Sequence, residues 1–116
     1  MNRQLAEARG RKAEALAAWW LRLRGWRILA RRARVPGGEV DLIARRGRVL
    51  AFVEVKQRNS AEAADWSLDE YRLRRVAVAA ERLTPRYARE GDDVRIDALF
   101  IVPRRFPKHL PNVWMG

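Results

Sequence analysis

Residues 49 to 56 read Val-Leu-Ala-Phe-Val-Glu-Val-Lys, and this string constrains the fold more than any other part of the chain. Side chains alternate across a strand. One face then carries Val49, Ala51, Val53 and Val55. The other carries Leu50 and Phe52 and, at its end, Glu54 and Lys56. A strand apolar on both faces is covered on both faces, which makes it a central strand of a sheet. The charges at its end are then partly desolvated, and charge in that position needs a compensating partner.

The rest of the chain supplies the elements that would cover such a strand. Residues 3 to 24 read as a helix, with Leu5, Leu16, Trp19, Trp20 and Leu23 as an apolar stripe at helical spacing. Gly25 ends it. WRILARRAR (26 to 34) reads as a strand with a basic end, and VPGG (35 to 38) as a turn. Residues 39 to 45 and 48 to 57 read as two strands joined at Arg46-Gly47. A polar loop over 59 to 66 leads to a helix over 68 to 89. Ser67 is its candidate N-cap, Asp69 and Glu70 lie in its first turn, and Pro85 is placed to interrupt it. VRIDALFIV (94 to 102) is the last strong strand. The tail, PRRFPKHLPNVWMG, holds three prolines and is expected to run over the surface, pinned by Phe106 or Trp114. The order α-β-β-β-α-β predicts an α/β fold, a mixed central sheet flanked by helices, in one domain spanning residues 1 to 116.

Pairing the two middle strands locates the charges. A turn at Arg46-Gly47 sets Arg45 opposite Arg48, Asp41 opposite Phe52 and Glu39 opposite Glu54. Glu39, Asp41 and Glu54 then share one face of the hairpin, with only Lys56 nearby. Like charges facing one another destabilise a sheet. They also raise each other's pKa, and a divalent cation reverses that. Two carboxylates, with substrate phosphate and waters, are the common way to hold magnesium. The bland reading is a solvated strand face, since Glu-Val-Lys strings are common there and D-x12-E-x-K patterns arise often by chance. The apolar surroundings of Glu54 weigh against it. Helix 1 offers a fourth acid. Gly10, Ala13, Glu14, Ala17 and Leu21 fall on one side of it, and small residues there permit close approach to the sheet. Glu14 turns inward to the cluster or stays at the surface beside Arg11 and Ala18; both placements fit the pattern.

Composition narrows the chemistry. No cysteine is present and His109 is the single histidine. Thiolate zinc sites, cysteine nucleophiles and multi-histidine sites are excluded. A metal here is held by oxygen, which favours Mg2+ or Mn2+. The net charge of +11 suits a polyanionic partner, nucleic acid before a membrane surface. The first residues lack the long apolar core of a secretory signal, and no run approaches the roughly 20 apolar residues that span a bilayer, so a cytoplasmic protein is expected.

With these residues in view, the sequence resembles the small bacterial YraN-like family, UPF0102, predicted endonucleases related to the archaeal Holliday-junction resolvases. GEVDLIA followed by FVEVKQR carries the resemblance. So do Gly10, Ala13-Glu14, Ala17, Leu21 and Gly25-Trp26, and the later Arg95-Ile96-Asp97. The resemblance implies a restriction-endonuclease-like fold of the PD-(D/E)xK kind. It implies Asp41, Glu54 and Lys56 as the catalytic set, with Glu14 and Glu39 as accessory acids at the metal. It also implies DNA before RNA as substrate, branched DNA included, and by analogy with resolvases a homodimer. The family's early lysine in the second long helix is missing. SLDEYRLRR stands there, and Arg72, Arg74 or Arg75 would take over a phosphate contact.

Arg31, Arg32, Arg34, Arg58, Arg72 and Arg75 are the candidate nucleic-acid contacts, with Arg45, Arg46 and Arg48 at the hairpin turn. For any one of them a solvated rim is the commoner role. Trp19 and Trp20 read as core before they read as base-stacking groups. Trp66, in the polar loop, fits either role. Asp97 reads as the ion-pair partner of Arg95, and His109 as chemically idle. Three functions compete: a metal-dependent phosphodiesterase, a nucleic-acid-binding module that kept the fold without turnover, and a ribonucleoprotein component. The acid cluster favours the first, because acids repel a phosphate backbone unless a cation sits between.

Overall fold

A computed structural model of the protein describes residues 3–59 and 67–114, with side chains from residue 10 onward. Trp66 and the side chain of Leu5 lie outside the described residues. The elements run α1 (Arg3–Leu23), β1 (Arg27–Val35), β2 (Gly38–Arg46), β3 (Val49–Gln57), α2 (Glu70–Tyr87), β4 (Asp93–Ile101) and β5 (Lys108–Leu110). The sheet order is β1-β2-β3-β4-β5. Neighbours are antiparallel except β3 and β4, which run parallel with α2 between them in the chain.

β3 is the central strand, as its composition requires. It sends Ala51 and Val53 into a core formed with Ala17, Ala18 and Leu21 of α1. It sends Leu50 and Phe52 into a second core formed with Leu73, Val76 and Ala79 of α2. The described part of the chain is thus an α/β sandwich with one helix on each face of a mixed sheet.

Four details of the sequence reading are corrected. The β2–β3 turn lies at Gly47-Arg48, so Arg46 pairs with Val49 and Leu42 with Val53. Gly47, at φ 59, supplies the left-handed residue that this turn needs. Asp41 therefore falls opposite Glu54, and not opposite Phe52. The cap of α2 is Asp69, whose Oδ1 accepts from the Tyr71 amide at 2.9 Å, and not Ser67. Pro85 does not interrupt the helix; it sits in the last turn, and α2 runs on to Tyr87. The tail contributes β5, which pairs Leu99 with His109. Asp97 is fully buried beneath this tail, accepting from Arg95 Nε at 3.0 Å and the Asn112 amide at 2.9 Å and lying 2.8 Å from His109 Nε2. His109 thus holds β5 in place.

The stripe of α1 is the largest departure. Leu16, Trp19 and Leu23 are 44, 57 and 61% exposed, while Ala13, Ala17, Ala18 and Leu21 are buried. The large side chains mark the outer face, because the alanine face lets the helix lie close over the small Ala44 and Ala51 of the sheet. Trp20 is only partly buried. The end of α1 follows expectation. Gly25 at φ 88 donates to Arg22 O at 3.1 Å and Trp26 to Leu21 O at 2.9 Å, a Schellman cap.

Gly38 fixes how closely α2 sits on β2. A Cβ there would lie 2.4 Å from Arg75 O and 2.8 Å from Ala79 N, both backbone atoms that cannot swing away. Gly38→Ala should therefore push α2 off the sheet and lower stability by about 1–3 kcal/mol in thermal or urea unfolding. Gly10→Ala is the control. Nothing lies within 4 Å of its added Cβ, so stability should hold or rise by about 0.5–1 kcal/mol. Equal melting of Gly38→Ala and the parent would show that this close approach does not limit packing.

Candidate metal and phosphate site

β2 and β3 part company at Asp41. Leu42–Val53 is the last backbone pair on that side, and the next amide of β3 that faces β2 belongs to Val55. Asp41 Oδ2 accepts from it at 2.7 Å, so the side chain replaces the missing ladder carbonyl. This pins the carboxylate beside Glu54. The hairpin face assignment survives the register correction, since a shift by two residues moves partners without turning any side chain over.

Glu54 is 2% exposed. Burial, and then the charge of Asp41, push its carboxyl up to about 7 from an ordinary 4.5, against the pull of Arg72 and Lys56. Asp41 is also raised, first by burial and then by Glu14 and Glu39, while its Val55 hydrogen bond and Arg72 oppose the rise. Arg72 Nη2 lies 3.0 Å and Lys56 Nζ 3.7 Å from Glu54 Oε1. Both pull the carboxyl down, yet burial and the charge of Asp41 outweigh them.

The remaining candidates divide. Glu14 turns inward, 8% exposed, and Arg32 Nε donates to its Oε1 at 2.7 Å. Glu14, Arg32, Arg34, Glu39, Asp41 and Arg72 share the lining of a cleft of about 270 Å³. Glu39 stands at its rim, 3.6 Å from Arg75 and 3.8 Å from Arg34. The four acids therefore form a chain of influence and not one enclosing set: Asp41 acts on Glu54, Glu14 and more weakly Glu39 act on Asp41, and Glu39 also lies near Arg34 and Arg75. The expectation that only Lys56 would stand near the acids is corrected, since Arg32, Arg34, Arg72 and Arg75 all reach them. Arg31 is not among the cleft-lining residues, and Arg58 donates to the carbonyls of Gln57 and Ser67. Arg45 is no phosphate contact. It is buried and pairs with both oxygens of Asp92, at 2.9 and 2.7 Å. Arg32 has a feature that spacing does not reveal. It stands across β1–β2 from Asp41 with φ 53, a conformation that costs a non-glycine residue about 1–2 kcal/mol.

No group of three acids or histidines among the described residues is arranged to enclose a metal ion. Asp41 and Glu54 nonetheless fit an open magnesium or manganese site. Both are hard oxygen donors, and both carboxyls are raised, first by burial and further by neighbouring carboxylates, an effect that a cation would reverse. Two protein carboxylates, with the other positions left to phosphate and water, are what such a cation needs.

The mixed five-stranded sheet between two helices, with acids where two strands diverge, defines an α/β fold shared with a solved structure. It is similar to the solved structure of Archaeoglobus fulgidus Hjc, a Holliday junction resolvase from an archaeal hyperthermophile. The TM-score is 0.59 and the identity 18%, covering 84% of this chain and 72% of that one. The chain belongs to the family described as "Uncharacterised protein family UPF0102", whose model matches residues 13–101. UPF0102 proteins of Sphingopyxis alaskensis and Rhizorhabdus wittichii are similar to it. The first is 63% identical over 98% of each chain. The second is 59% identical over 100% of this chain and 99% of its own. A third, from Erythrobacter litoralis, is 52% identical over 98% of each. No helix among the described residues is long and apolar enough to cross a membrane.

The raised carboxyls give the metal-free protein a pH signature. The folded state holds the Glu54 proton more tightly than the unfolded chain does. Raising the pH from about 4.5 through about 7 therefore removes stability, with the loss complete above that. Asp41 adds in the same direction. In EDTA, stability should fall across this window by about 1–3 kcal/mol. Glu54→Gln should fall less and be the more stable protein at pH 8. A melting profile that rises over the window, unchanged in Glu54→Gln, would contradict the burial of this charge.

Proposed function

We propose that the chain is a metal-dependent phosphodiesterase that cuts DNA, with Asp41 and Glu54 holding Mg2+ or Mn2+ and Lys56 serving the reaction. The observation that carries this reading is the buried Asp41–Glu54 pair, whose two carboxyls are both raised despite the nearby Arg72, beside an arginine-rimmed cleft. The resolvase likeness supports branched DNA among the substrates, and the partner would be nucleic acid, DNA before RNA. A divalent cation, if held there by Asp41 and Glu54, would supply charge neutralisation on the phosphate and would lower the pKa of a bound water.

The chain's own groups divide the remaining work. Val55 N–H fixes the Asp41 carboxylate, so the metal ligand is preorganised. Lys56 Nζ, kept near Glu54, is placed to donate a hydrogen bond to the attacking water or to a phosphate oxygen as charge builds there. Glu14 supplies further negative charge beside Asp41, and Arg32 balances it. Arg34 and Arg75, at the rim, are placed for neighbouring phosphates, with Glu39 between them as an accessory acid. One observation favours a second reading. Arg72 Nη2 lies 3.0 Å from Glu54 Oε1 and gives that carboxylate a counter-ion from the protein itself, as in a binding module without turnover.

Cleavage of duplex, single-stranded and four-way-junction DNA with manganese, and with EDTA, separates the two. Asp41→Asn and Glu54→Gln should each abolish cutting and weaken the cation's thermal stabilisation. Lys56→Ala should keep that stabilisation and slow cutting by about 100-fold or more, the scale of a lost transition-state donor. Binding without cutting in manganese supports the module. Cutting that persists in both acid variants places the activity elsewhere.

The +11 charge sets the form of binding. Log K should fall linearly with log salt, at about −0.9 per phosphate neutralised on duplex DNA, with little dependence on sequence. A flat titration removes nucleic acid as the partner.

A further inference from the structure

Outside the acid cleft, the outer face of α1 remains unexplained. Trp19 is 57% exposed and Phe106 83% exposed, and Phe106 stacks on Trp20 with ring centroids 5.4 Å apart. Together with Leu16 and the stretch from Ile101 to Pro107 they line a groove of about 550 Å³. That volume lies within the roughly 300–1,000 Å³ typical of ligand sites. An apolar surface with a polar rim usually marks a place of contact.

The rim says what kind of contact. Lys12, Arg58, Arg104 and Arg105 line this groove, and among the described residues no aspartate or glutamate lines it. Its occupant must offer apolar faces and negative charge together. Unpaired nucleotides do, because their bases stack on aromatic rings while their phosphates meet cations. A duplex does not, since its base faces are already stacked on one another. A second copy of the chain fits poorly. A two-fold contact here would set this cationic rim against itself, with no acid in the lining to pair it. The groove also adjoins the acid site along the chain: Arg58 lies two residues beyond Lys56 at the end of β3.

We infer that the groove between α1 and residues 101–107 is a second nucleic-acid surface, which takes the unpaired bases of a single-stranded or branched substrate beside the acid site. This rests on the proposed reading for the choice of polymer, and binding without cutting separates the two. Fluorescence-anisotropy titrations in EDTA, with a poly-dT oligonucleotide and a blunt duplex, test it on the intact chain. Trp19→Ala combined with Phe106→Ala should weaken poly-dT binding roughly 5- to 150-fold per base stacked and leave duplex binding within about 2-fold. Both residues are exposed, and a melting curve checks that the fold survives. As a second measurement, Arg104→Ala with Arg105→Ala should shrink the single-strand salt slope by about 0.7 for each phosphate that these arginines neutralise. Unchanged poly-dT affinity, or equal weakening on both substrates, overturns the inference. So does sedimentation showing a parent dimer that Trp19→Ala splits, which would give the groove to a second copy. Selective weakening on poly-dT in a protein that cuts nothing sustains the groove and removes the phosphodiesterase. A parent that binds neither substrate removes both.

Discussion

β3 is covered on both faces, and most of the site follows from that. Leu50 and Phe52 press on α2 while Ala51 and Val53 press on α1. Glu54 continues the same alternation, so the packing that buries Phe52 carries a carboxylate in after it. On an open sheet face this side chain would be solvated and its acidity ordinary. Here water is stripped away, and the raised carboxyl measures how far Arg72 and Lys56 fall short of replacing it. Asp41 belongs to the same constraint, because its own fixing point is the amide of Val55, on the same strand.

The parts of this arrangement that depend on alternation are legible in the sequence. Asp41, Glu54 and Lys56 share a face for any odd pairing sum, so a register shift of two residues changes the partners and not the side. The burial of β3 needs only its own composition. The buried face of α1 is not legible in the same way, because size and hydrophobicity point to opposite sides of the helix. Trp19 and Leu23 offer far more apolar area than Ala17 and Ala18, yet close packing against Ala44 and Ala51 selects small side chains. β5 is hidden among three prolines, and its tie, Asp97 to His109, joins residues whose contact no local pattern encodes.

The arginines are legible as a class and not as individuals. Arg32, Arg72 and Arg75 come from β1 and α2, elements whose docking on β2 is set by Gly38 and by the strand register. Arg32, Arg34 and Arg45 lie on adjoining strands of the same basic sequence, yet Arg45 is buried on Asp92 while Arg32 and Arg34 enter the cleft. Spacing cannot tell these fates apart, because each depends on which acid lies within reach of a long, flexible side chain.

The balance between these charges bears on how a phosphate could approach. At long range the chain is a strong cation and draws polyanions in from any direction. At the Asp41–Glu54 pair the local sign is reversed, and a phosphate brought there alone would meet two carboxylates. The arginines reduce that repulsion at the margins: Arg32 takes the charge of Glu14, and Arg34 and Arg75 that of Glu39. Among the described residues no arginine makes an ion pair with Asp41, and Glu54, with Arg72 at 3.0 Å and Lys56 at 3.7 Å, still has its carboxyl raised by burial and by Asp41. The carboxyls least compensated for their burial are therefore those of the two residues proposed to hold the cation, while Glu14 and Glu39 at the margins pair with arginines. Had the arginines cancelled every acid, a metal would gain little by binding. Had they cancelled none, the phosphate would be excluded before a metal could bridge it. On the proposed reading, this unequal distribution makes the cation, rather than the protein's overall charge, decide whether a phosphate can rest over Asp41 and Glu54.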